Sequence, residues 1–242
     1  MPDKKSNVQQ IRRSIALGLI DELKADVRAG RSRIKMDNHG AMVELSAEQL
    51  RERLRELQEQ LHYLASDLPQ KSWMFAVRKH HGQVWPGSDL PYLTHIGAVL
   101  LEIIPAVQAS PSLDASLAIC CALLHDTLED TETSAAELEE NFNEAIVAGV
   151  LALTKNTNLP PEEAMRDSLA RIRRQPPEIW MVKLADRTAN LSQVPAHWDS
   201  SRCLAYAREA EFILEALGSA SELLSERLLA RINTWKGQTV SG

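Results

Sequence analysis

Cysteine is scarce: three residues in 242, two of them adjacent (Cys120 and Cys121) and none in a CxxC pair. That excludes a disulfide scaffold and a cysteine-based metal site, and it fits a reducing compartment. Long apolar runs are missing too. No stretch approaches 18 consecutive apolar residues, and the opening Met-Pro-Asp-Lys-Lys-Ser-Asn lacks the apolar block of a signal peptide. Neither a membrane span nor a secretory leader is expected, and the expected location is cytoplasmic. Glycine is sparse at ten residues, and neither a GxGxxG nor a P-loop pattern occurs, so no glycine-rich phosphate cradle is expected. Positive charge is in deficit, with 27 Lys+Arg against 33 Asp+Glu for a net charge of -6. A broad nucleic-acid surface needs a basic face, so no nucleic-acid partner is expected. A small phosphorylated ligand remains compatible, because a local basic cleft or a metal can hold one against the overall charge.

What the chain has is helical periodicity, with its prolines and glycines falling mostly between the periodic stretches. An all-α fold is predicted, with helices over 72–83, 94–108, 113–130, 134–154 (broken near Asn141), 161–174, 178–193, 201–217 and 219–235. The one strand-like place is 33–45, where two short apolar-polar runs flank Asp37-Asn38-His39-Gly40; a small hairpin is predicted there. Ser46 and Gln49 then form a capping-box pattern ahead of leucines at 50, 54, 57, 61, 64 and 68. This seam, which Pro69 is expected to end, packs either on the rest of the chain or across a homodimer contact, and periodicity alone leaves both open. Residues 1–68 carry 12 basic and 11 acidic side chains, so the acidic excess belongs to the remainder. The predicted division is an N-terminal helical extension at 1–68 and a helical domain at 69–242, whose last two helices read as structural.

The chemistry concentrates in Ala122-Leu123-Leu124-His125-Asp126-Thr127-Leu128-Glu129-Asp130-Thr131. On a helix, His125 and Glu129 lie four apart, as do Asp126 and Asp130, so four polar groups follow turns that are wholly apolar. Burying them without partners is costly, and a metal or a hydrogen-bonded network must offset that cost. The His-Asp pair alone is weak, since chance supplies roughly 0.35 such pairs in a chain of this composition; only the flanks give it weight. Two more segments combine an apolar helix with ionisable groups: Pro91-Tyr92-Leu93-Thr94-His95, and Lys183-Leu184-Ala185-Asp186-Arg187-Thr188-Ala189-Asn190. Imidazole and carboxylate donors suit manganese, iron, zinc or magnesium, with room left for water and substrate oxygens.

In order and spacing, these segments, with His81-Gly82-Gln83 before them and Leu153-Thr154-Lys155 between them, resemble the HD-domain phosphohydrolases. Within that group they resemble the hydrolase domain of the Rel/SpoT-type alarmone enzymes and the small stand-alone alarmone hydrolases. The resemblance covers about residues 71–235. It implies an HD-domain helical bundle in which His95, His125, Asp126 and Asp186 hold one divalent ion, typically manganese. It also implies that Glu129 and Asp130 position and deprotonate the attacking water and that Asn190 contacts substrate. The reaction implied is removal of the 3′-pyrophosphate of (p)ppGpp, and a chain of this length is expected to be hydrolase-only. Lys155, Lys183 and Arg187 are candidate phosphate contacts.

Two departures fall on the nucleoside side. The family's base-packing arginine, two residues after the glutamine of the first motif, is replaced here by Trp85, and Gln193 stands where a threonine is usual. Tryptophan stacks purines without charge, so Trp85 is a candidate base contact. Action on another nucleotide, and a non-catalytic nucleotide-binding module built on the HD fold, are the alternatives.

Overall fold

A computed structural model describes residues 33–36, 42–46, 48, 49, 52, 55, 67–110, 112–195 and 197–240. The chain divides into two units, residues 1–66 and 67–242. In the first, β1 (Arg33–Met36) and β2 (Met42–Leu45) pair antiparallel, with Arg33 opposite Leu45 and Met36 opposite Met42. This is the hairpin the turn residues predict. Ser46 and Gln49 close a reciprocal capping box: the Ser46 N–H donates to Gln49 Oε1 at 2.9 Å, and the Gln49 N–H donates to Ser46 Oγ at 3.2 Å. Of the leucine seam, Leu50, Leu54, Leu57, Leu61 and Leu64 lie outside the described residues.

The second unit opens with α1 (Leu68–Lys79), which begins at the last leucine of the seam. Pro69 sits in the first turn of this helix, while the helix it is expected to end lies mostly outside the described residues. Proline has no N–H to donate, and the first turn of a helix needs none. There follow α2 (Leu93–Ala109), α3 (Ala115–Leu124), α4 (Thr127–Asp130), α5 (Ala135–Asn141), α6 (Glu144–Leu153), α7 (Pro161–Ile172), α8 (Pro177–Asn190), α9 (Ser200–Leu217) and α10 (Glu222–Val240). The break expected near Asn141 is present, and one further predicted helix, 113–130, is divided. Asn143 caps α6 by accepting from the Ile146 N–H at 3.0 Å, which separates it from α5. The stretch 113–130 parts at His125 and Asp126, where Thr127 Oγ1 donates to the Leu124 carbonyl at 2.7 Å.

The core is built on α2, α3 and α8, which pack pairwise against one another. Every residue of α3 from Ser116 to Leu124 is buried, as is α8 from Met181 to Ala189. The α9–α10 pair covers α8, and α1 covers α3. Arg227 of α10 grips the buried Glu102 of α2 with two nitrogens, Nη2 lying 2.6 Å from Oε1. Consequently the end of α3, the start of α2 and the last two turns of α8 are fixed side by side by apolar packing.

Gly149 shows how tight this packing is. A Cβ there would lie 2.5 Å from Ile179 Cδ1 and 2.8 Å from Cys121 Sγ. Both neighbours are fully buried, so they have nowhere to yield. Overpacking of this kind costs about 1–3 kcal/mol, more than the roughly 1 kcal/mol that alanine gains over glycine in a helix. Gly149→Ala is therefore expected to lower Tm by several degrees. Gly97→Ala on α2, where a Cβ meets nothing within 4 Å, is expected to raise it; equal shifts in thermal melts would refute the packing argument.

Candidate active site

His95, the third residue of α2, and His125, immediately after α3, bring their Nε2 atoms to 3.2 Å of each other. Both are buried. Asp126 Oδ2 lies 3.2 Å from the first and 3.0 Å from the second, and Asp186 Oδ1 lies at 3.6 Å and 3.8 Å. Segments up to 91 positions apart in sequence thus converge on one point. His95, His125 and Asp126 form a donor group whose atoms lie 3.0–3.2 Å from one another, and Asp186 extends it through both histidines.

The donor chemistry fits a divalent cation. His125 Nδ1 lies 2.8 Å from the Ala122 carbonyl; a carbonyl can only accept, so the proton sits on Nδ1 and Nε2 presents its lone pair to the site. Donors bonded at about 2.0–2.2 Å to one small ion stand about 3–3.5 Å apart, which is the spacing among His95, His125 and Asp126, with Asp186 Oδ1 slightly farther out. Without a cation or proton among them, these lone pairs and carboxylates repel. Burial pushes the His125 pKa down, but Asp126 and then Asp186 more than reverse that and hold it up at about 9. Burial raises the Asp126 pKa, and the facing histidines drive it well below the carboxylate range. For Asp186, Lys183 is the leading counterweight to burial, and the net shift is again downward.

The surrounding groups divide into those that face the site and those that hold it. Glu129 and Asp130, on the short α4, line the same polar pocket of about 130 Å³, a space of a few waters. Neither belongs to the close donor group. Glu129 Oε2 accepts from the Lys155 N–H at 3.0 Å, and Asp130 Oδ2 accepts from the Tyr92 hydroxyl at 2.6 Å. Asn190 Nδ2 donates to Asp186 Oδ1 at 2.6 Å. Lys183, expected against substrate phosphate, is buried with Nζ 2.8 Å from Asp186 Oδ2. Arg187, expected in the same role, is also buried; it pairs with Glu209 and stacks on Tyr206 at 4.2 Å. Both cations are engaged inside the protein, because a charge this buried needs its counter-charge there.

Tyr92, Lys155 and Asn190 also line a larger cleft of about 990 Å³ that continues from the polar pocket. Trp85 lines it from the loop between α1 and α2. That loop is pinned by Trp85 N–H to Leu90 O at 2.8 Å and Tyr92 N–H to Gln83 O at 3.0 Å, with Gly82 and Gly87 at φ 79° and 83° making its turns. The opposite wall corrects the reading of the last helices as purely structural. Arg202 and Tyr206 of α9 and Trp235 of α10 line the cleft beside Trp198, and the Arg202 guanidinium lies 4.2 Å over the Trp198 ring. Four cations, Lys155, Arg166, Arg202 and Arg208, face two acids, Glu162 and Glu209, and Glu209 is paired with Arg187. An acidic protein thus keeps a locally cationic cleft next to its carboxylate cluster. The signal missed in α9 is the spacing of Arg202, Tyr206 and Glu209, which places a polar stripe on one face.

The family model described as HD domain matches residues 72–221. A zebrafish (Danio rerio) protein named guanosine-3′,5′-bis(diphosphate) 3′-pyrophosphohydrolase MESH1 is 29% identical over 160 residues, covering 64% of this chain and 86% of that protein. An Aquifex aeolicus guanosine-3′,5′-bis(diphosphate) 3′-pyrophosphohydrolase is 31% identical over 144 residues, 56% of this chain and 20% of that one. A solved structure described as a metazoan ortholog of SpoT that hydrolyzes ppGpp superposes with a TM-score of 0.60 at 23% identity, covering 70% of this chain and 96% of its own.

Proposed function

We propose that this chain, which belongs to the HD-domain family, is a metal-dependent hydrolase that removes the 3′-pyrophosphate from (p)ppGpp or a closely related alarmone. The observation that carries this reading is the convergence of His95, His125, Asp126 and Asp186 beside two further carboxylates, at the mouth of a cationic cleft. These four residues would hold one divalent ion, with manganese the expected metal. Such an ion lowers the pKa of a bound water and offsets the charge that develops on phosphoryl oxygens.

The protein's own groups do the rest. Glu129 or Asp130 takes a proton from the attacking water as its oxygen bonds to phosphorus. The bond from phosphorus to the 3′-oxygen breaks, the nucleoside oxygen takes up a proton, and GDP or GTP leaves with pyrophosphate. Lys183 and Asn190 fix the two oxygens of Asp186, so that carboxylate cannot swing away. Lys155 and the arginines of the cleft supply the counter-charge that a polyphosphate needs. Trp85 offers a stacking face for the base. The three cysteines are free and buried, which supports a reducing, cytoplasmic setting.

Trp85 in the place of a family arginine favours a second reading, in which the pocket accepts another base. One panel tests both. Purified protein with Mn²⁺ is incubated with ppGpp, pppGpp and their adenosine counterparts, and the products are identified. Pyrophosphate with GDP or GTP is the expected outcome. Faster release from the adenosine compounds supports the second reading, and absence of pyrophosphate from all of them overturns the proposal.

A further inference from the structure

Tyr92 was legible in the sequence only as a flank of His95, yet its hydroxyl occupies the junction of the site. It lies 2.6 Å from Asp126 Oδ2 and 2.6 Å from Asp130 Oδ2. The same Asp126 oxygen faces both histidine Nε2 atoms. The phenol ring is itself clamped, stacking on His80 with centroids 4.7 Å apart and planes 12° apart, and meeting the edge of His95 at 5.5 Å. His80 Nδ1 lies 2.7 Å from Gln83 Oε1, and Gln83 Nε2 donates to the Asp130 carbonyl at 2.5 Å. Asp130 is therefore held at both ends, carboxylate and main chain, by one connected set of side chains.

We propose that Tyr92 is a positioning residue whose hydroxyl ties Asp126 to Asp130, so that the orientation of Asp130 is coupled to the state of the ion site. A bridging phenol on a rigid ring can do this where a longer, freer donor cannot. Its single proton is shared between two like-charged carboxylates, each within reach at 2.6 Å, and the stack on His80 leaves the ring no alternative rotamer without loss of packing. The inference rests on the proposed metal site, but its first measurement needs no substrate.

The test is Tyr92→Phe in the full chain, which keeps the ring and its stacking and removes only the bridge. Thermal melting of the metal-free variant is expected to stay close to the parent. Calorimetric titration with Mn²⁺ is expected to give a dissociation constant about 10- to 100-fold weaker, the usual effect of losing a hydrogen bond to a ligating group. At saturating Mn²⁺, kcat should fall while KM stays put. Because both changes act through one link, Asp130→Asn should cost much less in the Tyr92→Phe background than in the parent. Parental Mn²⁺ affinity together with parental kcat overturns the proposal, as does full additivity of the two substitutions. Weakened Mn²⁺ binding in a protein that hydrolyses none of the panel would leave the bridge standing and remove the hydrolase reading.

Discussion

Asp126→Ala is expected to leave a folded, helical protein that no longer binds a divalent ion and no longer turns over. Asp126 Oδ2 lies within 3.2 Å of both histidine Nε2 atoms, so its loss removes the anion about which the donor group closes. Thermal melting gives a readout independent of activity. A ligand at 100 times its dissociation constant stabilises the native state by about 2.7 kcal/mol. For a chain of this size that corresponds to about 5–10 °C in Tm. The parent should show this rise on Mn²⁺ addition and the variant should show none. An equal rise in both would rule the site out.

The same atoms set a pH dependence for the metal-free parent. His125 is held near 9 in the folded protein against about 6.5 when unfolded. A raised folded-state value contributes stability that is complete below about pH 6.5 and is lost as pH rises through 9. Metal binding needs that proton gone, so apparent Mn²⁺ affinity should rise over the same window. Opposite slopes for stability without metal and for affinity are the expected pair of measurements.

Much of this site could be read from sequence, because its ion-binding part is written as short segments. His125 and Asp126 close a run of buried residues whose apolar character is visible without a structure, and His95 and Asp186 likewise sit next to apolar helical residues. The hairpin and the capping box were legible for a similar reason: their chemistry is local. Long-range pairing was not. That Arg187 turns inward depends on Glu209 of another helix, whereas Lys183 turns toward Asp186 only three residues away, a pairing whose burial the sequence does not show. The role of α9 in the cleft was hidden because its apolar stripe, which covers α8, is what periodicity reports, while Arg202 and Tyr206 acquire meaning only beside Trp198. The start of α1, predicted at 72, lies at Leu68 because Pro69 fits the first turn of a helix.

Glu129→Gln and Asp130→Asn separate catalysis from binding. Both carboxylates line the polar pocket without joining the close donor group, so the parental number of metal ions should stay bound. Each substitution keeps an acceptor oxygen for the hydrogen bond now made: the side-chain amide introduced at position 129 can still accept from the Lys155 N–H, and the one at position 130 from the Tyr92 hydroxyl. The local structure is therefore expected to survive, and substrate affinity to stay within about tenfold of the parent. What is lost is the capacity to take a proton from water. General-base assistance is typically worth 10²- to 10⁴-fold, so single-turnover rates should fall by at least about 100-fold in the variant that removes the base. The two positions are distinguishable. Asp130 receives the Tyr92 hydroxyl, while Glu129 stands beside Lys155, whose Nζ is 3.8 Å from Oε1 and lies toward the cleft. If Asp130 is the base, Asp130→Asn takes the large loss and Glu129→Gln chiefly weakens the hold on substrate phosphate through Lys155; the reverse pattern assigns the base to Glu129. Parental rates in both variants would leave neither carboxylate as the base, and loss of the ion from either would move that residue into the ligand set.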